Sequence, residues 1–164
     1  MSTVTLRPSN DGTISELNGF GYYAVNDDYD DTKVYATHVA YFTDTYTYPA
    51  LPIPSDSTIN SVTLELRLSN SDNTTTTYAK GCLYITETIY LSSAISKTGT
   101  GYETKSVTWY VNPHTLSRFT VAEIDAFEAG LSLKSGSAKG YARCSEVWLI
   151  IDYGVGSCSA PIVW

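Results

Sequence analysis

At 164 residues, 43% apolar and 16% charged, the chain has the size and composition of one folded domain that needs neither a disulfide framework nor a metal to hold its core. Its formal net charge of −7, with ten Lys and Arg and no basic run, argues against a surface that tracks nucleic-acid phosphates. No window approaches the roughly 18 apolar residues of a membrane span. The opening "MSTVTLRPSNDG" also lacks the cationic-then-apolar order of a secretory signal, so no membrane partner is expected and synthesis in a cytoplasm is.

In chain order, "TVTLRP" reads as a short strand stopped by Pro8 and the turn residues Ser9 to Gly12. "GFGYYAVNDDYDD" is a Gly- and Asp-rich connection, and "KVYATHVAYF" (33–42) a second strand. "YPALPIPSDS" carries prolines at 49, 52 and 54, which removes ladder donors and predicts an extended crossover. In "INSVTLELRLS", Val62, Leu64, Leu66 and Leu68 alternate with Thr63, Glu65 and Arg67, the pattern of a strand with one core face and one solvent face. "YAKGCLYITETIYL" reads as another strand region with Gly81 as a bulge, "SKTGTGYET" as a turn, "SVTWYV" as a strand and "RCSEVWLIIDY" as the last one. Short strands at about ten-residue spacing, punctuated by Pro and Gly, predict an all-β antiparallel sandwich over residues 1–153, followed by an apolar tail at 154–164.

One stretch breaks the β pattern. In "FTVAEIDAFEAGLSL", Thr120 as N-cap and Glu123 three residues on form a capping box, Phe119 and Ile124 a hydrophobic staple, and Gly130 a C-terminal stop. Val121, Ile124 and Phe127 share one face, so a helix over about 121–129 is expected to dock as a lid over an open end of the sandwich.

Few residues point to chemistry. The run "NDDYDD" makes Asp28, Asp30 and Asp31 candidate Ca²⁺ ligands, since hard cations want several carboxylates from one loop. The EF-hand pattern is absent, and the run reads better as a solvated turn feeding a strand, so neither metal nor cofactor is expected. His38 and His114 lie near no nucleophile signature, and no catalytic role is expected. Cys82, Cys144 and Cys158 are odd in number, lack metal-type spacing and are expected to be free thiols. On the last strand Val147, Leu149 and Ile151 make one face, while Cys144, Trp148 and Ile150 make the other with Glu146. Two apolar faces on one strand predict a second covering, either the helix or another chain, and the latter makes Trp148 and Ile150 candidate interface residues. Ile162, Val163 and Trp164 in the tail "APIVW" join them as an arm for a neighbouring subunit.

The order of these pieces carries a resemblance. "TLRP", then "PIPSDSTINSVTLELRLS", a Trp strand running into "NPHT", the helix with "GLSL" and a last strand "ARCSEVWLIIDY" resemble the virion structural proteins of tailed phages and prophages built on a jelly-roll-like β-sandwich. The resemblance spans about residues 3–153. It implies a non-enzymatic virion protein, foremost a capsid decoration or cement protein that reinforces the assembled shell. Its partners would be the major capsid protein or other head and tail components, and it would be a homo-oligomer or lattice-bound. The fourteen Tyr and three Trp support the alternative, a receptor- or glycan-binding module of a head or tail fibre.

Overall fold

The computed structural model describes residues 2–19, 21–26 and 30–154. Among these the chain runs β1 (Ser2–Leu6), β2 (Asn10–Ser15), a 3-10 turn (Gly21–Ala24), β3 (Val34–Ala36), β4 (Phe42–Thr47), β5 (Thr58–Asn70) and β6 (Thr76–Ile85). It continues through β7 (Thr88–Leu91), β8 (Ile95–Thr98), β9 (Glu103–Trp109), helix α1 (Val121–Ala126), β10 (Glu128–Ser135) and β11 (Ala142–Gly154). The first sheet has the order β1-β11-β5-β9, with β3 prolonging the β1 side of β11; the second is β2-β4-β10-β6-β7, with β8 prolonging the β7 side of β6. Their strand pairings are antiparallel. Consecutive strands β4, β5 and β6 alternate between the sheets, as do β9, β10 and β11. The result is the all-β, jelly-roll-like sandwich with one short helix that the alternation predicts.

The core lies between the sheets. Val62, Leu64, Leu66 and Leu68 of β5 are fully buried, with Val147, Leu149 and Ile151 of β11 beside them and Ala129, Leu131 and Leu133 of β10 among the buried residues of the other sheet. Each fully buried Leu or Ile contributes about 1.5–3 kcal/mol of transfer free energy. The capping box is present: Thr120 Oγ1 accepts from Glu123 N at 3.2 Å, and Thr120 N donates to Glu123 Oε2 at 2.7 Å. Val121 and Ile124 bury the helix in the core cluster with Phe119 and Phe127, and Leu51 N donates to Asp125 Oδ1 at 2.8 Å, tying the proline crossover to it.

Several expectations are corrected. The helix stops at Ala126, because Phe127 is already extended (φ −90°, ψ 162°) and Glu128 starts β10. In "EAGLSLK" the inward Ala129, Leu131 and Leu133 alternate with Glu128, Gly130, Ser132 and Lys134, and this period of two prevails over the helical one. Gly130 is therefore not a helix stop. A Cβ there would lie 2.1 Å from the Asp44 carbonyl oxygen, so glycine is what lets β4 approach β10. Gly81 is not a bulge, since the β6–β10 register runs through it unbroken; a Cβ there would lie 2.3 Å from Val107 Cγ2, in space that β9 occupies.

The segment expected as one strand at 33–42 divides into β3 and β4, which belong to different sheets, with residues 37–41 making the passage. Asn10 and Asp11, expected in a turn, pair with β4 as part of edge strand β2, where turn formers are tolerated. The expected turn "SKTGTGYET" holds the end of β8 and the start of β9. On β11 the register shifts between Cys144 and Glu146, so Ser145 is an extra residue and the alternation changes phase. Cys144 thus joins the core cluster, against the expectation that it shares the outer face with Trp148 and Ile150.

Candidate functional site

The outer face of the first sheet carries a charged network that joins β5 and β11. Arg67 of β5 forms a two-pronged pair with Asp30, Nε to Oδ1 at 2.7 Å and a second nitrogen to Oδ2 at 2.9 Å, and Glu146 lies 3.6 Å from Nε. Ser145 Oγ, turned to this side by the bulge and buried there, donates to Asp30 at 3.0 Å. The Arg67 guanidinium, and then the Ser145 hydroxyl, hold the Asp30 carboxyl below the usual carboxylate range against the opposing effect of burial. Asp30 is therefore an ion-pair partner rather than a cation ligand. Asp31 is exposed and its carbonyl accepts from Lys33 Nζ, while Asp28 lies outside the described residues. No group of three or more potential metal-ligating side chains gathers among the described residues.

Trp148 and Ile150 lie on this same face, partly buried and outside the core cluster. The Arg7 guanidinium stacks over the indole at 5.7 Å, and Ile150 pairs with Thr5 and Thr63. The second apolar side of β11 is thus partly covered from its own sheet. Ile162, Val163 and Trp164 lie outside the described residues, as does Cys158; Cys82 and Cys144 are free, buried thiols that burial pushes up to about 12. His114 Nδ1 shares a 2.9 Å hydrogen bond with Tyr90 Oη, and His38 is exposed beside Phe42.

The outer face of the second sheet differs. At one end Glu128 of β10 takes hydrogen bonds from Thr13 N and Oγ1, both at 2.7 Å, and from Thr45 Oγ1 at 2.6 Å. Burial works to raise this carboxyl, but those three bonds outweigh it and hold it below the usual range. Along β10 towards the other end come Ser132, bonded to Thr43 at 3.0 Å, and then Lys134. Lys134 pairs across the ladder with Tyr78 of β6, and Lys80 pairs with Ser132. Tyr41, just before β4, completes the group.

Lys80 Nζ lies 4.9 Å and Lys134 Nζ 4.8 Å from the centre of the Tyr41 ring, and Lys134 Nζ lies 5.3 Å from the centre of Tyr78. Each contact of this kind is worth about 0.5–1 kcal/mol at an exposed site. Neither lysine has a carboxylate partner among the described residues. Burial, then the neighbouring Tyr78, raises the Tyr41 phenol, which stays neutral as a platform for the two cations.

Tyr78 also walls an open cleft of about 330 Å³ whose lining includes Thr74, Thr75, Thr76, Ser137, Lys139 and Asp72. Asp72 Oδ1 is committed to the Thr74 N–H and to the Thr74 and Thr75 hydroxyls at 2.7–3.1 Å; the Thr74 hydroxyl is the foremost reason its carboxyl sits below the usual range. A second cleft, of about 440 Å³, lies by Tyr110, Asn60, Arg118 and Asp152 on the first-sheet side. There the cation shares its lining with an anion, and Asn60 Nδ2 donates to Asp152 at 3.2 Å.

Sequence reading missed the Tyr41–Tyr78–Lys80–Lys134 group. Tyr41, the Tyr78 and Lys80 pair of β6, and Lys134 are far apart in sequence and meet through the β4–β10–β6 register. Their signal was slight: two outward lysines on strands whose other face is apolar.

A scan against protein-family models matches none of them, and a search of curated proteins finds no relative. Among solved structures the chain is similar to the CBM36-1 domain of a multidomain xylanase from the hindgut metagenome of Trinervitermes trinervoides, at 10% sequence identity and a TM-score of 0.48, covering 94% of this chain and 99% of that one. The expectation of a capsid decoration or cement protein is withdrawn at this point, since these comparisons give the virion reading no support.

Proposed function

We propose that this sandwich is a non-catalytic glycan-binding module whose binding surface is the outer face of the second sheet, from Tyr41 to the cleft beside Tyr78. The observation that carries the reading is the position of Tyr78, an exposed ring at the wall of a cleft lined by Thr and Ser hydroxyls. Sugars offer an apolar C–H face and a rim of hydroxyls. A half-exposed tyrosine accepts the first, and short polar side chains accept the second. Tyr78 and Thr76 sit on β6, and Asp72 holds the Thr74 and Thr75 hydroxyls by hydrogen bonds, so this part of the surface is held in shape before a ligand arrives and its ordering cost on binding is small.

Electrophoresis through gels containing soluble polysaccharides tests this. The wild-type chain is retarded by at least one glycan, Tyr78→Ala abolishes the retardation, and Tyr110→Ala in the second cleft leaves it unchanged. Retardation by no glycan defeats the reading. Retardation lost with Tyr110→Ala and kept with Tyr78→Ala moves the site to the other sheet.

A further inference from the structure

Resting on the glycan-binding reading, we infer that the sugar this face takes is an anionic one, a carboxylated or otherwise acidic glycan whose negative group is received between Lys80 and Lys134. The chain is acidic overall, at −7, yet this face gathers two ammonium groups around a single tyrosine ring. Three of the other cations are engaged elsewhere. Arg67 is paired with Asp30, Lys105 with Glu103, and Lys33 is bonded to a backbone carbonyl. Lys80 and Lys134 instead face Tyr41 and Tyr78, whose rings attract cations through their quadrupoles but do not neutralise them.

Two like charges held at one ring repel each other, and an anion between them removes that repulsion and gains two charge-assisted hydrogen bonds. The acids that share the face do not compete for this role. Glu128 is taken by Thr13 and Thr45, and Asp72 by Thr74 and Thr75. Tyr78, which touches Lys134 on one side and walls the cleft on the other, then places a sugar ring next to its own charged substituent. An isolated phosphate or a nucleic acid would use the lysines and leave the hydroxyl-lined cleft idle, and that difference favours the sugar.

The test measures wild-type affinity by calorimetry at low salt for four soluble polymers: polygalacturonate, a sulfated glycan such as chondroitin sulfate, a neutral xylan and single-stranded DNA. The inference expects polygalacturonate or the sulfated glycan to bind about tenfold or more tightly than xylan, and the preference to shrink as salt is raised. Which of the two binds better identifies the acid group. Lys80→Gln/Lys134→Gln is expected to remove that preference while keeping a cooperative melt within a few degrees of wild type, and Lys80→Glu/Lys134→Glu to abolish acidic-glycan binding. Equal affinity for neutral and acidic glycans overturns the inference while leaving the glycan-binding reading intact. DNA binding as tight as that of the acidic glycans overturns the choice of a sugar. Binding to none of the four, together with no retardation by any polysaccharide, overturns both readings.

Discussion

The two outer faces of the sandwich are built on the same scaffold and handle charge in opposite ways. On the first sheet, Arg67, Asp30, Ser145 and Glu146 form one network, Asn60 holds Asp152, and the hydroxyls of Thr63 and Thr108 lie 2.8 Å apart. On the second, the acids are satisfied by hydroxyls and backbone, and two lysines are left against aromatic rings. A face whose charges are matched internally gains stability and offers little to a ligand. A face whose cations lack counter-ions gains little stability and keeps its electrostatic free energy for a partner. Stability and binding should therefore separate by face.

The largest expected effect tests what the faces have in common. Gly81 stands next to Lys80 on β6 but points inward, against Val107 and Trp109 of the opposite sheet. Gly81→Leu overfills that junction and should cost about 3 kcal/mol or more. Denaturant melts would show it, with binding lost alongside. A variant that melts like wild type would mean that the sheets separate easily there and that the faces are not mechanically joined.

Next comes the matched face. Arg67→Ala should cost about 1 kcal/mol, discounted for the partial exposure of both partners. Because pairing depresses the Asp30 carboxyl, its contribution is complete above the ordinary value of 3.8 and disappears as pH falls through the depressed one. The melting difference between wild type and Arg67→Ala should thus be constant near neutrality and close on the acid side below pH 3.8. A difference that persists at lower pH would show the loss to be packing of the arginine stem.

The hairpin between β6 and β7 turns through Thr86 and Glu87, both at positive φ (49° and 61°). A left-handed conformation costs a non-glycine residue about 1 kcal/mol, so Glu87→Gly should raise stability by up to roughly that amount. Binding should stay unchanged, since the turn lies beyond the lysine cluster. The smallest expected effect is the most informative one. Lys80→Met/Lys134→Met should shift stability by less than about 0.5 kcal/mol, because the thioethers pack on the same rings and the repulsion between the two ammonium groups is removed, while most of the affinity for an acidic glycan is lost. A loss of stability comparable to that of Arg67→Ala would collapse the contrast between the faces.

Much of this architecture is legible in the sequence because burial writes a clear period. The alternation of Val62, Leu64, Leu66 and Leu68 names the core face of β5, and Thr120 with Glu123 marks the start of the helix. What was misread falls where a single residue changes the rule. Ser145 inserts into β11 and reverses the alternation, so Cys144 turns inward where parity places it outside. Thr86 and Glu87 make a tight turn without the Asn or Gly that usually signals one, and two strands read as one. Phe127 satisfies both a helical and an extended pattern, and only the pairing of β10 with β4 and β6 decides between them. The lysine cluster was hidden for a different cause. Tyr41, Tyr78, Lys80 and Lys134 become neighbours through ladder register, a long-range property that no local window holds.

The ladder between β1 and β11 sets Ser2 opposite Tyr153 and Leu6 opposite Leu149. Closing it brings together segments separated by nearly the whole domain, at a loop-closure cost of about 4 kcal/mol if nothing else has formed first. This zipper is therefore expected to close late in folding, after β5, β10 and β11 have assembled. It also brings residues 2 and 153 side by side, so a short peptide could join them and the chain be reopened at Gly101, where a side chain would meet nothing within 4 Å. Such a permutant makes β1 and β11 near neighbours along the chain, and it should fold faster than the native order while presenting the same lysines on the same face.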